Sequence, residues 1–475
     1  MLFSSIVFVL YFLPIVLVLY YLFSFSRLLQ NILLFVASII FYSWGEPKFA
    51  ILMCVSILLN TLFGYLVDKF RHKEKISKVI LVLTVLCNLG ILFVFKYLPF
   101  TIRNVNALLG TDLTSHNLAL PLGISFYTFQ AISYVVDVYR EDAKIEKNPF
   151  YVGLYIAFFP QLIAGPIVRY NTIAEQIRNR KSSVEKFSIG CCRFLVGFEK
   201  KILLANTFAL VADKVFELTY SQSIPASLSW LGAIAYTLQI YFDFSAYSDM
   251  AIGLAAMFGF RLEENFNYPY ISKSVSEFWR RWHISLSTFF REYVYFPLGG
   301  SRTENQDKMV RNTFIVWLLT GIWHGAEWTF VLWGLCNFVF IMGERLFKFE
   351  QSRIPDFLKH VYALCVITIG WVLFRAENLT QAFIYLKNMF CLSGNGITSN
   401  LALVYVKEYL PFWVAGIIFS TPIAKRINKL NADKKMPIIG NVITVIYPVV
   451  ILGLFFVCMT YLVIGSYNPF IYFNF

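Results

Sequence analysis

An all-α, polytopic membrane protein is the fold class this sequence predicts, and three observations predict it. The first is solvent preference: 58% of the residues are hydrophobic, 18% aromatic and only 15% charged, and the mean hydropathy is +0.63, well above a water-soluble domain. The second is recurrence. Apolar stretches of the roughly 17 to 25 residues that cross a bilayer as a helix fall at 5–24, 30–46, 49–67, 79–99, 118–139, 201–219, 224–241, 356–375, 402–422 and 437–465. The third is the placement of Lys and Arg, which concentrate in a few of the connecting loops.

The first span, "MLFSSIVFVLYFLPIVLVLYYLF", has no basic residue before Arg27 and no small-residue cleavage site. It reads as a retained span rather than a signal peptide, with the N-terminus outside the cytoplasm. Basic loops at Lys69–Lys78, Arg169–Lys186 and Lys425–Lys435 are expected on the cytoplasmic side. The formal net charge of +13 is then topology and attraction to anionic lipid, and no nucleic acid is needed to explain it.

The same rule shapes the segment "YVGLYIAFFPQLIAGPIV", residues 151–168. Basic loops that must share one side flank it, so it is expected to enter and leave on that side, bent at Pro160 and at Gly165–Pro166. Apolar but interrupted stretches also lie at 242–260 and 313–343. Irregular backbone at membrane depth survives only beside protein or water, so these are the places where function is expected. The eight cysteines, at 54, 87, 191, 192, 336, 365, 391 and 458, show no CxxC pair or metal-ligand spacing. They read as small buried hydrophobes, and neither metal nor cofactor is expected. With no internal repeat and no soluble domain visible, residues 1–475 read as one integral domain.

Chemistry concentrates in two stretches. In "NYPYISKSVSEFWRRWHISLSTFFREYVYFPLGG", residues 267–300, cations and aromatic rings alternate. Read as a helix, Trp279 and His283 share one face, as do Phe278 and Trp282, while Arg280 and Arg281 point elsewhere. That is the pattern of helices lying in the headgroup plane, where Arg and Trp can also serve as plain interfacial anchors. In "LLTGIWHGAEWTF", residues 318–330, His324 stands between Gly321 and Gly325 in an otherwise apolar setting. His72 and His116 lie in polar loops and His360 near a span end. From the residues alone two readings of His324 stay open: a helix-to-helix hydrogen bond, or a functional group approached closely at the glycines.

"EFWRRWHISLSTFFREYVYFPLGG" followed by "LLTGIWHG" resembles the membrane-bound O-acyltransferase family, and within it the alginate and peptidoglycan O-acetyltransferase branch. "YFDFSAYSDMAIGLAAMFGF", "ENFNYPY", "PLGISFYTFQAISYVVDVYR" and "FFPQLIAGPIVRY" resemble the same branch, in order and along essentially the whole chain. The resemblance implies a bundle of about 11 transmembrane helices, with re-entrant and interfacial helices around a central funnel. It implies that His324 is the catalytic histidine and His283 its characteristic second one.

The resemblance also implies an acyl, above all acetyl, transferase in the cytoplasmic membrane of a bacterium. A cytoplasmic thioester, acetyl-CoA or an acyl carrier, would be the co-substrate, and the group would pass outward to a cell-surface polysaccharide, often through an extracytoplasmic partner enzyme. Arg280, Arg281 and Arg291, with Trp279 and Trp323, are the candidate donor-binding residues, since guanidinium groups suit phosphates. His324 could act as general base or carry a transient acyl group. D-alanyl transfer to teichoic acid and a non-enzymatic transporter are the alternatives. One departure stands out: many relatives carry a further His-Gly in the next helix, where this chain has Asn337.

Overall fold

The computed structural model describes residues 1–45, 47–114, 118–300, 306–426 and 437–471, the last stretch with side chains from 446 onward. Regular structure among these residues is helical, with no strand. Two compact units interleave in sequence: Met1–Phe194 with Ser248–Glu263, and Leu195–Tyr247 with Glu264–Phe475. Among the described residues five helices are long and apolar enough to cross a bilayer, namely Pro47–Lys69, Glu74–Leu109, Trp328–Leu346, Asp356–Arg375 and Ile446–Val463. Asn400–Glu408 and Leu410–Phe419, bent by 71° at their junction, make a sixth if they are one span. The other apolar stretches form helices that are shorter, broken or fused. His116 and most of the basic loop Lys425–Lys435 lie outside the described residues.

In the first unit, helix Ile124–Tyr139 shows why a segment too short to span can still be strongly apolar. Every residue from Ile124 to Val138 is buried, so it is an inner rod of the unit. Gly123 starts it with φ +74, and a Cβ there would lie 2.8 Å from the Leu162 carbonyl oxygen, a close approach that only glycine permits. Residues 151–168 break as expected, into Pro149–Ala157 and Phe159–Leu162. The break falls at Phe158, ahead of Pro160, because a proline fits the first turn of the second piece, where no N–H is needed. Residues 152–168 are all buried. Side chains satisfy the freed backbone: Tyr155 Oη donates to the Val168 carbonyl at 2.8 Å and Gln161 Nε2 to the Tyr155 carbonyl at 2.6 Å.

Arg180 corrects the reading of its loop as wholly surface charge. Only 4% of it is exposed. It donates to Asn31 Oδ1 at 2.7 Å, to the Ile177 carbonyl at 3.0 Å, to Tyr20 Oη at 3.0 Å and to the Phe258 carbonyl at 3.1 Å, with the Phe260 ring 4.3 Å away. Four neutral acceptors and a ring face thus replace the water expected around a loop cation.

Residues 224–241 and 242–260, read as a span and an interrupted segment, are one 32-residue helix, Ala226–Met257. The polar interruption does not break it, because its carboxylates are matched. Asp243 meets Lys201 at 2.6 Å within the second unit, both almost fully buried, and Asp249 meets Arg193 at 2.9 Å within the first. The cysteines are also less buried than expected: only Cys458 is in the core, and Cys365 is exposed. Most of the others are half-buried on helices, and Cys391 lies in the turn after Leu379–Met389.

Candidate active site

The site belongs wholly to the second unit, and two hairpin-like breaks build it. The interfacial stretch is not one helix. Val275–Arg281 ends, Trp282 is extended, His283 is left-handed with φ 45 and ψ 54, and Ile284–Phe290 begins. The expected shared face of Trp279 and His283 is therefore lost, while Phe278 and Trp282 still stack at 5.4 Å. The reason lies in the segment that crosses the break. Asn267 N–H donates to the Arg281 carbonyl at 2.9 Å and Ile284 N–H to the Asn265 carbonyl at 3.0 Å, so the groups released by the break are paired across it. At the other end Glu344 caps the helix, accepting from Val275 N–H at 2.6 Å, Ser276 N–H at 2.9 Å and Ser276 Oγ at 2.6 Å.

The second break carries His324. Helix Gln306–His324 ends on it, and Trp328–Leu346 returns. The glycines do not open space for a substrate, as the sequence suggested. A Cβ on Gly321 would lie 2.5 Å from the Phe330 carbonyl oxygen, one on Gly334 would lie 2.5 Å from that of Trp317, and one on Gly325 would run into the Phe330 ring. Their absence of side chains lets the two helices cross closely and the chain reverse directly after His324. That imidazole is 6% exposed. Trp323, Trp333 and Phe374 meet it edge to face, with centroids at 4.9, 5.1 and 5.1 Å. Each such contact contributes about 0.5–1.5 kcal/mol beyond burial, so the ring is held in one orientation.

Both histidines line one cavity of about 570 Å³. Its wall includes Trp279, Arg280, Arg291, Trp317, Thr320 and Arg345, and among the described residues its charged lining is arginine, with no carboxylate. The structure therefore brings together five of the seven expected residues: His283, His324, Trp279, Arg280 and Arg291. Arg281 and Trp323 do not line it. Arg281 is held by Glu277 at 2.8 Å and donates to the Asn267 carbonyl at 3.1 Å, so it fastens the break instead. Trp323 packs between the two histidines, 6.2 Å from one ring centroid and 4.9 Å from the other. Arg280 is paired with Glu350 at 2.6 Å, and that guanidinium holds the Glu350 carboxyl below its usual range.

Sequence reasoning missed Trp317, Thr320 and Arg345. The first two lie two turns and one turn before His324 on the same helix face, a spacing that could have found them. Arg345 ends helix Trp328–Leu346 and also borders an adjoining groove of about 380 Å³ with Arg280, Lys348 and Glu350. The departure at Asn337 has a structural answer. Its Oδ1 accepts from Trp279 Nε1 at 2.8 Å and its Nδ2 donates to the Trp333 carbonyl at 2.9 Å, which fixes one wall of the cavity.

Against known families, residues 36–382 match the model of the membrane-bound O-acyltransferases. The chain belongs to this family. Among relatives of this acyltransferase, a Pseudomonas putida protein named "Probable alginate O-acetylase AlgI" is 41% identical over 495 aligned positions, covering 100% of both chains. A Helicobacter pylori peptidoglycan O-acetyltransferase is 33% identical over 83% of this chain and 80% of its own. A Bacillus subtilis teichoic acid D-alanyltransferase is 30% identical over 49% of this chain and 61% of its own. An O-acyltransferase needs a group that can take up a hydroxyl proton, and two imidazoles line this cavity.

Proposed function

We propose that this acyltransferase moves an acetyl group from a cytoplasmic thioester, acetyl-CoA or a carrier-bound equivalent, to a hydroxyl of an extracytoplasmic polysaccharide, working in the cytoplasmic membrane of a bacterium. The observation that carries the reading is the single cavity that holds both His283 and His324 behind Arg280, Arg291 and Arg345. In the reaction His324 takes the proton from the acceptor hydroxyl, the hydroxyl oxygen attacks the thioester carbonyl carbon, and the carbon–sulfur bond breaks. The proton then passes to the departing thiolate, and His324 is restored. The arginines hold the phosphates of the donor, and Trp279 and Trp317 line the passage for its uncharged arm. Donor arms of this kind are long enough to reach a group at mid-depth of a ~30 Å hydrocarbon core.

Relatives named for O-acetyl transfer align along 80% to 100% of the chain, whereas the D-alanyltransferase aligns with about half, which favours acetyl over D-alanyl. An extracytoplasmic partner enzyme would finish the transfer. The test is acetyl transfer from labelled acetyl-CoA in reconstituted vesicles, wild type against His324→Gln, with a thermal melt as folding control. Loss of transfer at an unchanged melt is expected, and full turnover by the variant overturns the assignment. The direction has its own test. A Lys75→Cys variant should resist an impermeant thiol reagent added outside intact cells, and its modification from outside would reverse the proposed orientation.

A further inference from the structure

We infer that Asn265 is a positioning residue for the acyl transfer, one that fixes His283 in the neutral tautomer with its proton on Nδ1. The inference rests on the assignment of the cavity as the place of reaction.

The orientation of the Asn265 amide comes from its neighbours. Its side chain is fully buried. Three groups converge on Oδ1: the Ser285 backbone nitrogen at 3.2 Å, Ser285 Oγ at 2.9 Å and His283 Nδ1 at 3.1 Å. A backbone N–H can only donate, so the amide atom facing it is the oxygen and not the nitrogen. An amide oxygen can only accept. His283 Nδ1, pointing at the same oxygen, therefore carries the proton. A neutral imidazole has one N–H, so the lone pair belongs to Nε2.

The neutral form is the one this setting favours. His283 lies outside the candidate spans, and burial pushes its pKa from 6.5 down to about 3. The frame around it is rigid in three ways. The Asn265 carbonyl accepts from Ile284 N–H at 3.0 Å, tying the segment to the residue after the histidine. His283 itself sits at φ 45, a left-handed conformation that a side-chain-bearing residue keeps only where its surroundings impose it. Phe244 meets the imidazole edge to face at 4.6 Å and 89°.

The chemical consequence divides the work between the two histidines. With Nδ1–H spent on Asn265, His283 has no proton to give to a thioester carbonyl oxygen. Its Nε2, buried in the cavity wall, can only accept a hydrogen bond, and does so from a substrate N–H or O–H only when the packing over it gives way. No proton is transferred to it. Asn265 reaches the substrate only through His283, as an outer hydrogen-bond partner that sets a tautomer.

The test reads the tautomer and the turnover separately, on full-length protein in lipid labelled at histidine nitrogen, with His283→Gln identifying the signal. The wild type should show a protonated Nδ1 and an unprotonated Nε2 for His283; the reverse assignment overturns the inference outright. Asn265→Ala should lose that preference and cut kcat about 100-fold. Asn265→Asp keeps an acceptor oxygen in place and should restore both the protonated Nδ1 and most of the turnover. An Ala variant with unchanged tautomer and turnover refutes the inference. So does an Asp variant that holds the tautomer yet is as inactive as Ala. If His324→Gln keeps full turnover, it is the site assignment that fails, and the tautomer spectra remain readable without it.

Discussion

Two regions of this protein concentrate cations, one burying them and the other leaving them exposed at a cavity, and they use them in opposite ways. In the first unit Arg180 is surrounded by acceptors on four sides. Asn60 and Asn88 there exchange amide hydrogen bonds at 3.0 and 2.8 Å between helices Pro47–Lys69 and Glu74–Leu109. These groups face one another and fill the interior. In the second unit Arg280, Arg291 and Arg345 border a cavity, and neither Arg345 nor Lys348 has an ion-pair partner among the described residues. A polar group enclosed by protein holds a fold together; an exposed cation at the rim of a cavity can meet a ligand. Substitutions in the two regions should therefore fail differently.

The largest effect expected is at His324. Removing a general base costs about 10²- to 10⁴-fold in rate, so His324→Gln should lower acetyl transfer by about that much while the melt moves little. A variant whose stability fell along with its activity would place His324 with the matched groups and erase the distinction. Arg180→Ala is the opposite case. It strands four acceptors in a packed interior and should cost about 3 kcal/mol of stability, seen as a lower melting temperature, while turnover per folded molecule is unchanged.

Cavity arginines should show a third behaviour. Arg345→Ala should raise the KM for the acyl donor about tenfold, the equivalent of about 1.4 kcal/mol, with kcat preserved and the effect shrinking in high salt. Arg280→Ala should do at least as much, since it also leaves the Glu350 carboxylate unneutralised beside the mouth. Arg281→Ala supplies the control. This arginine is tied to Glu277 and Asn267, so its loss should disturb the His283 break and leave the donor's charge dependence alone. Equal KM effects from Arg281 and Arg345 would defeat the separation.

How much of this was legible in the sequence depends on the range of the interaction concerned. Apolar length is local, so Pro47–Lys69 and Asp356–Arg375 were readable, as was the break near Pro160, where one residue's missing N–H decides the outcome. His283, His324, Trp279, Arg280 and Arg291 of the cavity wall came from the family resemblance, whereas Trp317, Thr320 and Arg345 did not. What stayed hidden depends on pairs far apart in the chain. Nothing near Arg180 in sequence shows that Asn31 and Phe258 will enclose it. Nothing in the period of residues 275–290 shows that His283 is left-handed, because the cause is the Asn265 to Asn267 segment crossing the break. Asn337 looked like a departure from pattern only while its partner, Trp279, was unknown.

The smallest effect expected sharpens the comparison by asking what His283 costs. It is buried among rings, and its pKa is lowered from 6.5 to about 3 by desolvation. Between those values the unfolded chain binds a proton that the folded one refuses. The stability contributed by this neutral histidine is therefore present above about pH 6.5 and drains away as the pH falls toward 3. His283→Gln removes the titration. Melting temperatures measured between pH 7 and pH 4.5 should fall more steeply for the wild type than for this variant, and the two curves should run parallel above pH 6.5. Parallel curves throughout would mean that folding leaves the pKa of His283 near 6.5, so that the folded protein takes up this proton as readily as the unfolded chain. The cavity would then gain a fourth cation as the pH falls through about 6.5, and His283 would belong with the arginines that receive the donor rather than with the groups held neutral by burial.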